Sequence, residues 1–270
     1  MNKHMHNARA KGQSDPSDTP AHLRIKKSTA IRVLHEDDAI IVVDKPAGVA
    51  LDTDFDDAPG VLGQLIAAGT ISEDGTPQSP LPVEPDASGL LILARNAPAL
   101  DTLARQLEDG TLELQHIALV RGRPGDDSGS IEAPLLNHPA GKVRPDETQG
   151  KPAKTDWRLR DGFIEFALIE CVPRTAIRHQ VRAHLEAAGM PLVVDREYGG
   201  GTKLMLSSFK ARYHPSKKHK ERPLIRRLTL HAETLSLHHP VTNEAMRFDS
   251  PPPKDMRAAI HQLERFGRVP

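Results

Sequence analysis

The sequence predicts a domain that mixes strands and helices, on three observations. Short runs rich in Val, Ile and Leu recur at 31–34, 39–44, 90–93, 112–120 and 163–173, and turn residues bound them. Segments between them place apolar residues at helical spacing, as with Leu100, Leu103, Ala104 and Leu107. The chain has 270 residues, 38% of them hydrophobic, which allows one large domain or two small ones and a sizeable core. Aromatics are only 3%, so aliphatic side chains must fill most of that core.

Taken in order, residues 1–28 are polar and without period and read as a disordered tail, and one domain spans 29–270. The stretch 31–49 reads as a strand, a turn at 36–38, and a second strand at 39–44, a hairpin followed by Lys45-Pro46-Ala47-Gly48. Lys45 is a candidate to meet a phosphate or to support a loop; taken alone it is a surface charge. Val61, Leu62, Leu65 and Ile66 have helical spacing. Leu90 to Leu93 form a run too short for a helix, hence a buried strand, entered from the polar loop 83–89. Glu84 and Asp86 lie two apart in that loop and project to one side if it is extended. Pro82 and Pro85 stiffen it and push Glu84 toward extended backbone. Two carboxylates alone read as a solvated acidic loop; at a sheet entrance they are also where catalytic groups sit.

Residues 97–108 read as a helix with Pro98 in its first turn and Gly110 at its end. A strand over 112–120 follows, then a long loop region over 125–155 with a short strand at 130–136, then a strand over 163–173. Cys171 reads as a buried small hydrophobe, and as the single cysteine it excludes an intrachain disulfide framework and fits a reducing compartment. Residues 180–188 read as a short amphipathic helix ended by Gly189, with His179, Arg182 and Glu186 near one face. Strands at 228–232 and 233–238, a turn at 240–243 and a helix over 256–266 close the chain.

Formal net charge is zero, so nothing draws the whole molecule to nucleic acid. Residues 203–227, however, hold nine Lys or Arg against the single acidic Glu221, densest around Lys217, Lys218 and Lys220. Such a run is a solvated loop by default and a phosphate-contacting patch beside a nucleic-acid site. No apolar run approaches the ~20 residues that span a bilayer, and no secretory signal is expected, since the N-terminus carries no apolar stretch of the needed kind. A cytoplasmic monomer without a membrane partner is expected.

Several segments, in order over roughly residues 31–256, resemble the RluA-type RNA pseudouridine synthases. That family carries His-Arg-Leu-Asp, two further residues, then Thr-Ser-Gly and an apolar strand. Ser88, Gly89 and the strand match; Ala87 stands at the Thr, and Leu81, Pro82 and Val83 at the His, Arg and Leu. Glu84 falls where the family has its catalytic Asp, and Asp86 at its second acidic position. The family's Tyr-x-Ala-x-Val-x-Gly is matched by Ala118, Val120 and Gly122, with His116 at the active-site Tyr. In the third motif Thr175, His179, Gln180, Arg182, His184, Leu185, Asp195, Tyr198 and Gly199 are in register, and Ala176-Ile177 replaces Gly-Arg.

The resemblance implies an α+β pseudouridine synthase fold: a mixed, mostly antiparallel sheet, helices at its flanks and a central cleft. It implies isomerisation of uridine to pseudouridine in rRNA or tRNA, without metal or organic cofactor, on a nucleotide flipped out of its stack. It assigns Glu84, Arg182 and His116 to the catalytic positions, and Lys45, Asp86, His179 and Gln180, with the basic patch, to substrate binding. Arg182 is expected to pair with Glu84 and keep it ionised. Two readings stay open. One is an active synthase using Glu84; the other is a pseudoenzyme that binds or chaperones RNA, since the Asp, the Tyr and one Arg are all changed.

Overall fold

The computed structural model describes residues 30–52, 59–137, 141–214 and 220–268. The proposed tail lies outside the described residues, as do Lys217 and Lys218. The predicted hairpin forms from β1 (Arg32–Glu36) and β2 (Ile40–Lys45), and Asp37 turns it: its Oδ1 accepts from the N–H groups of Ala39 and Ile40 at 2.8 and 2.9 Å. β2 pairs antiparallel with β3 (Ser88–Ala94). β3 then runs parallel to the first residues of β10 (Leu230–His238), through Ser88 opposite His231 and Gly89 opposite Ala232. From β10 the sheet continues antiparallel through β4 (Glu113–Arg121), β9 (Phe166–Pro173), β8 (Lys154–Gly162) and β5 (Ser128–Glu132). β11 (Ala245–Asp249) pairs antiparallel with the rest of β10. A separate hairpin, β6 (Leu135–Asn137) with β7 (Val143–Pro145), packs on α3 (Gln180–Ala187). The fold is α+β, mixed and mostly antiparallel.

Helices cover both faces of the sheet. Ile41, Val43, Leu91 and Leu93 meet α1 (Val61–Ala67), while Ile40, Val42, Leu90 and Ile92 meet α2 (Ala97–Asp109). Likewise Ile117 and Leu119 of β4 face α4 (Lys254–Phe266), and Ala118 and Val120 face α3. Burial on both faces explains why β2 and β3 read as unbroken apolar runs and not as alternation. Each such Leu or Ile contributes about 1.5–3 kcal/mol on removal from water. The start of α2 follows its sequence signals: Asn96 Oδ1 accepts from the Ala99 N–H at 3.0 Å and Pro98 sits in the first turn. Its end does too, at Gly110 with φ +79°.

Three expectations change. The strands expected at 228–232 and 233–238 are one strand, β10, with a bulge between Ala232 and Thr234 opposite β4. A bulge shifts the in–out alternation, so in sequence it looks like a break. The strand expected at 130–136 is divided between β5 and β6, because Pro134 lies in the gap and cannot donate to a ladder. β11, after the predicted turn at 240–243, has alternating half-exposed residues and no apolar run to announce it.

Gly89 stands at the parallel junction with φ +106°, and a Cβ there would lie 2.1 Å from the Ala232 carbonyl oxygen. Gly89→Ala should therefore cost roughly 3 kcal/mol or more in urea unfolding. Gly125→Ala, where nothing lies within 4 Å of the added carbon, should stay within about 0.5 kcal/mol of wild type.

Candidate active site

The segment Lys45-Pro46-Ala47-Gly48 is a clamp on the loop that carries Glu84. Lys45 is buried at the end of β2, and its Nζ donates to the carbonyls of Ala87 (2.7 Å), Pro85 (2.8 Å) and Pro46 (3.3 Å). The Gly48 N–H donates to the same Pro85 carbonyl at 2.8 Å. An ammonium has three hydrogens and a neutral amine two, so three carbonyl acceptors favour the charged form. Burial works the other way and pushes Lys45 down to about 7, against the pull of Asp86 and Glu84. All three donors are committed to carbonyls, so Lys45 supports the loop and is not free to meet a phosphate.

Beyond that loop, Glu84 meets Arg182 across 98 residues of sequence. Arg182 lies in the first turn of α3, 7% exposed, and its Nη1 donates to Glu84 Oε2 at 3.3 Å. Its stronger partner is Asp195, fully buried, which accepts from Nε and Nη2 at 2.7 Å each. Glu197, 45% exposed, accepts from Nη2 at 2.8 Å. The Tyr198 ring lies against the guanidinium, 4.7 Å from centroid to Cζ. Arg182 favours the ionised form of Glu84, and burial works against it. Burial raises Glu84 to about 7; Arg182 opposes the rise, and Asp195 and Glu197 reinforce it. A guanidinium already answering two carboxylates holds the third weakly.

Glu84 forms part of the wall of a cavity of about 80 Å³ at the centre of the sheet. The cavity runs along β3 from Ser88 to Ile92, past Leu230 and Ala232 of β10 and His116 of β4, and under Gln180 and Val181 of α3. His116 thus occupies the wall opposite the loop. Burial, with His231 adding to it, pushes its ring down to about 4, so the imidazole is neutral at pH 7. Its buried Nδ1 has no hydrogen-bond partner. Among the described residues no cluster of three or more His, Cys, Asp or Glu is arranged to hold a metal, and no helix is long and apolar enough to cross a membrane.

The other predicted residues divide. Gln180 lines the cavity, yet its amide is engaged by the fold: Nε2 donates to the Lys154 carbonyl (2.8 Å) and Thr155 Oγ1 (3.1 Å), and Oε1 accepts from Thr175 (2.7 Å). His179 precedes α3 in the left-handed region, φ 55°, and so does not continue the face of Arg182. Its Nδ1 is 3.1 Å from the Tyr198 hydroxyl. Glu186 pairs with Lys142 at the surface. Asp86 is exposed and outside the cavity wall, and Lys220 is exposed. Ile177, where the resemblance has an arginine, lines the cavity. The sequence reading matched Asp195 and left Glu197 unremarked, without linking either to the site. It also missed Arg227, which donates twice to Asp255 (2.8 and 2.9 Å) and once to Ser88 (3.2 Å) beneath the loop. The Asp-x-x-Tyr-Gly pattern after α3 was the available signal for the first two.

Comparison with known proteins decides the family. The sequence profile of RNA pseudouridylate synthases matches residues 39–187. The chain belongs to the RNA pseudouridine synthase family, of the RluA type. It is 31% identical over 240 residues to ribosomal large subunit pseudouridine synthase D of Nitrosomonas europaea, covering 87% of this chain and 66% of that one. It is 32% identical over 257 residues to an uncharacterized RNA pseudouridine synthase of Chlorobaculum parvum, covering 90% and 77%. The chain thus spans a little under two thirds of the length of the first of these relatives. The structure of human RNA pseudouridylate synthase domain containing 4 superposes with a TM-score of 0.64 at 19% identity, covering 86% of this chain and 92% of that one, a likeness of fold.

Two outcomes follow for this site. Folding leaves a proton on Glu84 that the unfolded chain gives up near 4.5. Between about 4.5 and 7 the unfolded state binds fewer protons, so stability falls as pH rises through that window. Glu84→Gln removes this loss. It should be more stable than wild type at pH 8 by roughly 1–3 kcal/mol in urea unfolding, with the gain shrinking toward pH 5. Lys45→Met should cost roughly 1–3 kcal/mol, because the Ala87 carbonyl loses its partner, and should speed amide exchange across 84–88.

Proposed function

We propose that the central cavity receives a uridine extruded from structured RNA and isomerises it to pseudouridine, with Glu84 in the role of the family's aspartate. The observation that carries this is the placement of Glu84 in the cavity wall with Arg182 at 3.3 Å. Relatives named for the large ribosomal subunit favour rRNA over tRNA as the substrate. In the reaction the N1–C1′ bond breaks, the base turns, and a C5–C1′ bond forms. C5 loses a proton and N1 gains one, so no atom is gained or lost and no metal or organic cofactor is called for. Glu84 must be ionised to start it, by attack on the nucleoside or by proton abstraction. His116 offers a neutral ring face to the base and, unlike tyrosine, no phenol. The chain acts as a monomer, and the basic loop around Lys217, Lys218 and Lys220 holds the RNA backbone.

A second reading, binding or chaperoning of RNA without turnover, is favoured by one observation. The guanidinium that should draw the proton off Glu84 already serves Asp195 and Glu197, and burial raises the carboxyl to about 7. Label release from uridine-labelled rRNA separates the two. Turnover should rise roughly tenfold from pH 6 to pH 8 as Glu84 ionises, and Glu84→Gln should abolish it. RNA that binds with no turnover even at pH 8 would establish the second reading. Under either, reversing the charge at Lys217, Lys218 and Lys220 should weaken binding and flatten its salt dependence by about one unit of slope per lost phosphate contact. Unchanged binding would remove the loop from the interface.

A further inference from the structure

We infer that Glu197 is a positioning residue of this cavity: it claims a donor of the Arg182 guanidinium and thereby sets how firmly that arginine holds Glu84. The inference deepens the reading of the same site. Its test reads a carboxyl group and not an RNA product, so either can fail while the other stands.

The guanidinium's donors are shared unequally. Nε and one Nη2 hydrogen go to Asp195 at 2.7 Å, and the second Nη2 hydrogen goes to Glu197 at 2.8 Å. Glu84 is left with Nη1 at 3.3 Å, the longest contact of the four. The turn after α3 places Glu197 there. Asp195 Oδ1 accepts from the backbone N–H groups of Glu197 (2.9 Å) and Tyr198 (3.2 Å), which folds the chain back over the arginine. The buried Tyr198 ring behind the guanidinium limits its tilt toward Glu84.

The charges around Glu84 come from four elements. Arg182 faces it from α3, Asp195 and Glu197 from the turn, and Lys45 from the end of β2, with Asp86 on the same loop. His116 and His179 are neutral neighbours, and Arg227 acts through Lys45. Asp195 is indispensable to the turn, through its two backbone bonds. Glu197 is not: its side chain is 45% exposed and the guanidinium is its only partner at hydrogen-bond distance among the described residues. With Glu197 neutral, the guanidinium answers only Asp195 and Glu84, and the ionised form of Glu84 gains.

The experiment is a pH titration of the full chain carrying carboxyl-¹³C glutamate, followed by NMR. The Glu84 signal is the one that vanishes in Glu84→Gln. In Glu197→Gln its midpoint should fall by about one pH unit, the size of one partly screened charge nearby. Glu186→Gln, a carboxylate on α3 that pairs with Lys142, should leave it where it is. A Glu84 midpoint unmoved or raised in Glu197→Gln overturns the inference.

Discussion

At the centre of this molecule one positive charge is shared by three carboxylates. Arg182 is buried, so its charge must be answered, and Asp195 answers it with two short bonds while accepting two more from backbone N–H groups. Glu197 is half in solvent, and water supports its charge. Glu84 has neither advantage. It is 14% exposed, and its single contact with the arginine is the longest of the set. An ion in the interior is penalised by several kcal/mol unless bonds of good geometry offset the loss of water. One long bond does not, and burial pushes Glu84 up to about 7.

That arrangement depends on restraints well outside the cavity. The Glu84 loop is held from below by Lys45 and Gly48, through the Pro85 and Ala87 carbonyls. α3 is held at its first residue by Gln180 on Lys154 and Thr155, and one turn later by His184, whose ring sits between Thr155 Oγ1 (2.9 Å) and the Ala133 carbonyl (3.0 Å). The loop and α3 belong to two halves of the sheet that join only where β3 meets β10. There His231 donates from Nε2 to the Ser250 carbonyl, since a carbonyl can only accept, and burial keeps its ring neutral. Nδ1 therefore accepts from the Ser88 hydroxyl, which leaves that oxygen free to accept from Arg227. A polar chain thus crosses the joint at Ser88, the first residue of the strand that the Glu84 loop enters.

The strands and helices were legible because both faces of the sheet are buried and the helices carry their own caps. Ile40 to Val43, all fully buried, and the Asn96–Pro98 start of α2 are cases where local pattern and final packing agree. The bulge in β10 was not legible, since a single extra residue in the ladder looks like a turn. In the site, the closeness of Glu84 and Arg182 could be read from matched motifs. The sign of the Glu84 shift could not. It depends on how deeply the carboxyl is buried and on how many other acceptors the arginine already serves, and neither quantity is written in a motif. Lys45 shows the same limit from the other side. Its residue type suggested a phosphate contact, while its three carbonyl partners come from segments up to 42 residues away.

The glutamate at position 84 is not separable from this backbone. The loop between Pro82 and Ala87 is stiffened by two prolines and tied to Lys45 and Gly48, so its main chain has little freedom to advance or retreat. With Glu84 in place the nearest guanidinium nitrogen is 3.3 Å away. An aspartate on the same main chain would end about 1.5 Å earlier, one C–C bond, beyond hydrogen-bond reach of that nitrogen. The glutamate reaches the arginine from this main chain, and the same guanidinium also serves Asp195 and Glu197. Side-chain length, loop clamp and shared guanidinium form one unit, and the environment of the carboxyl at position 84 follows from all three together.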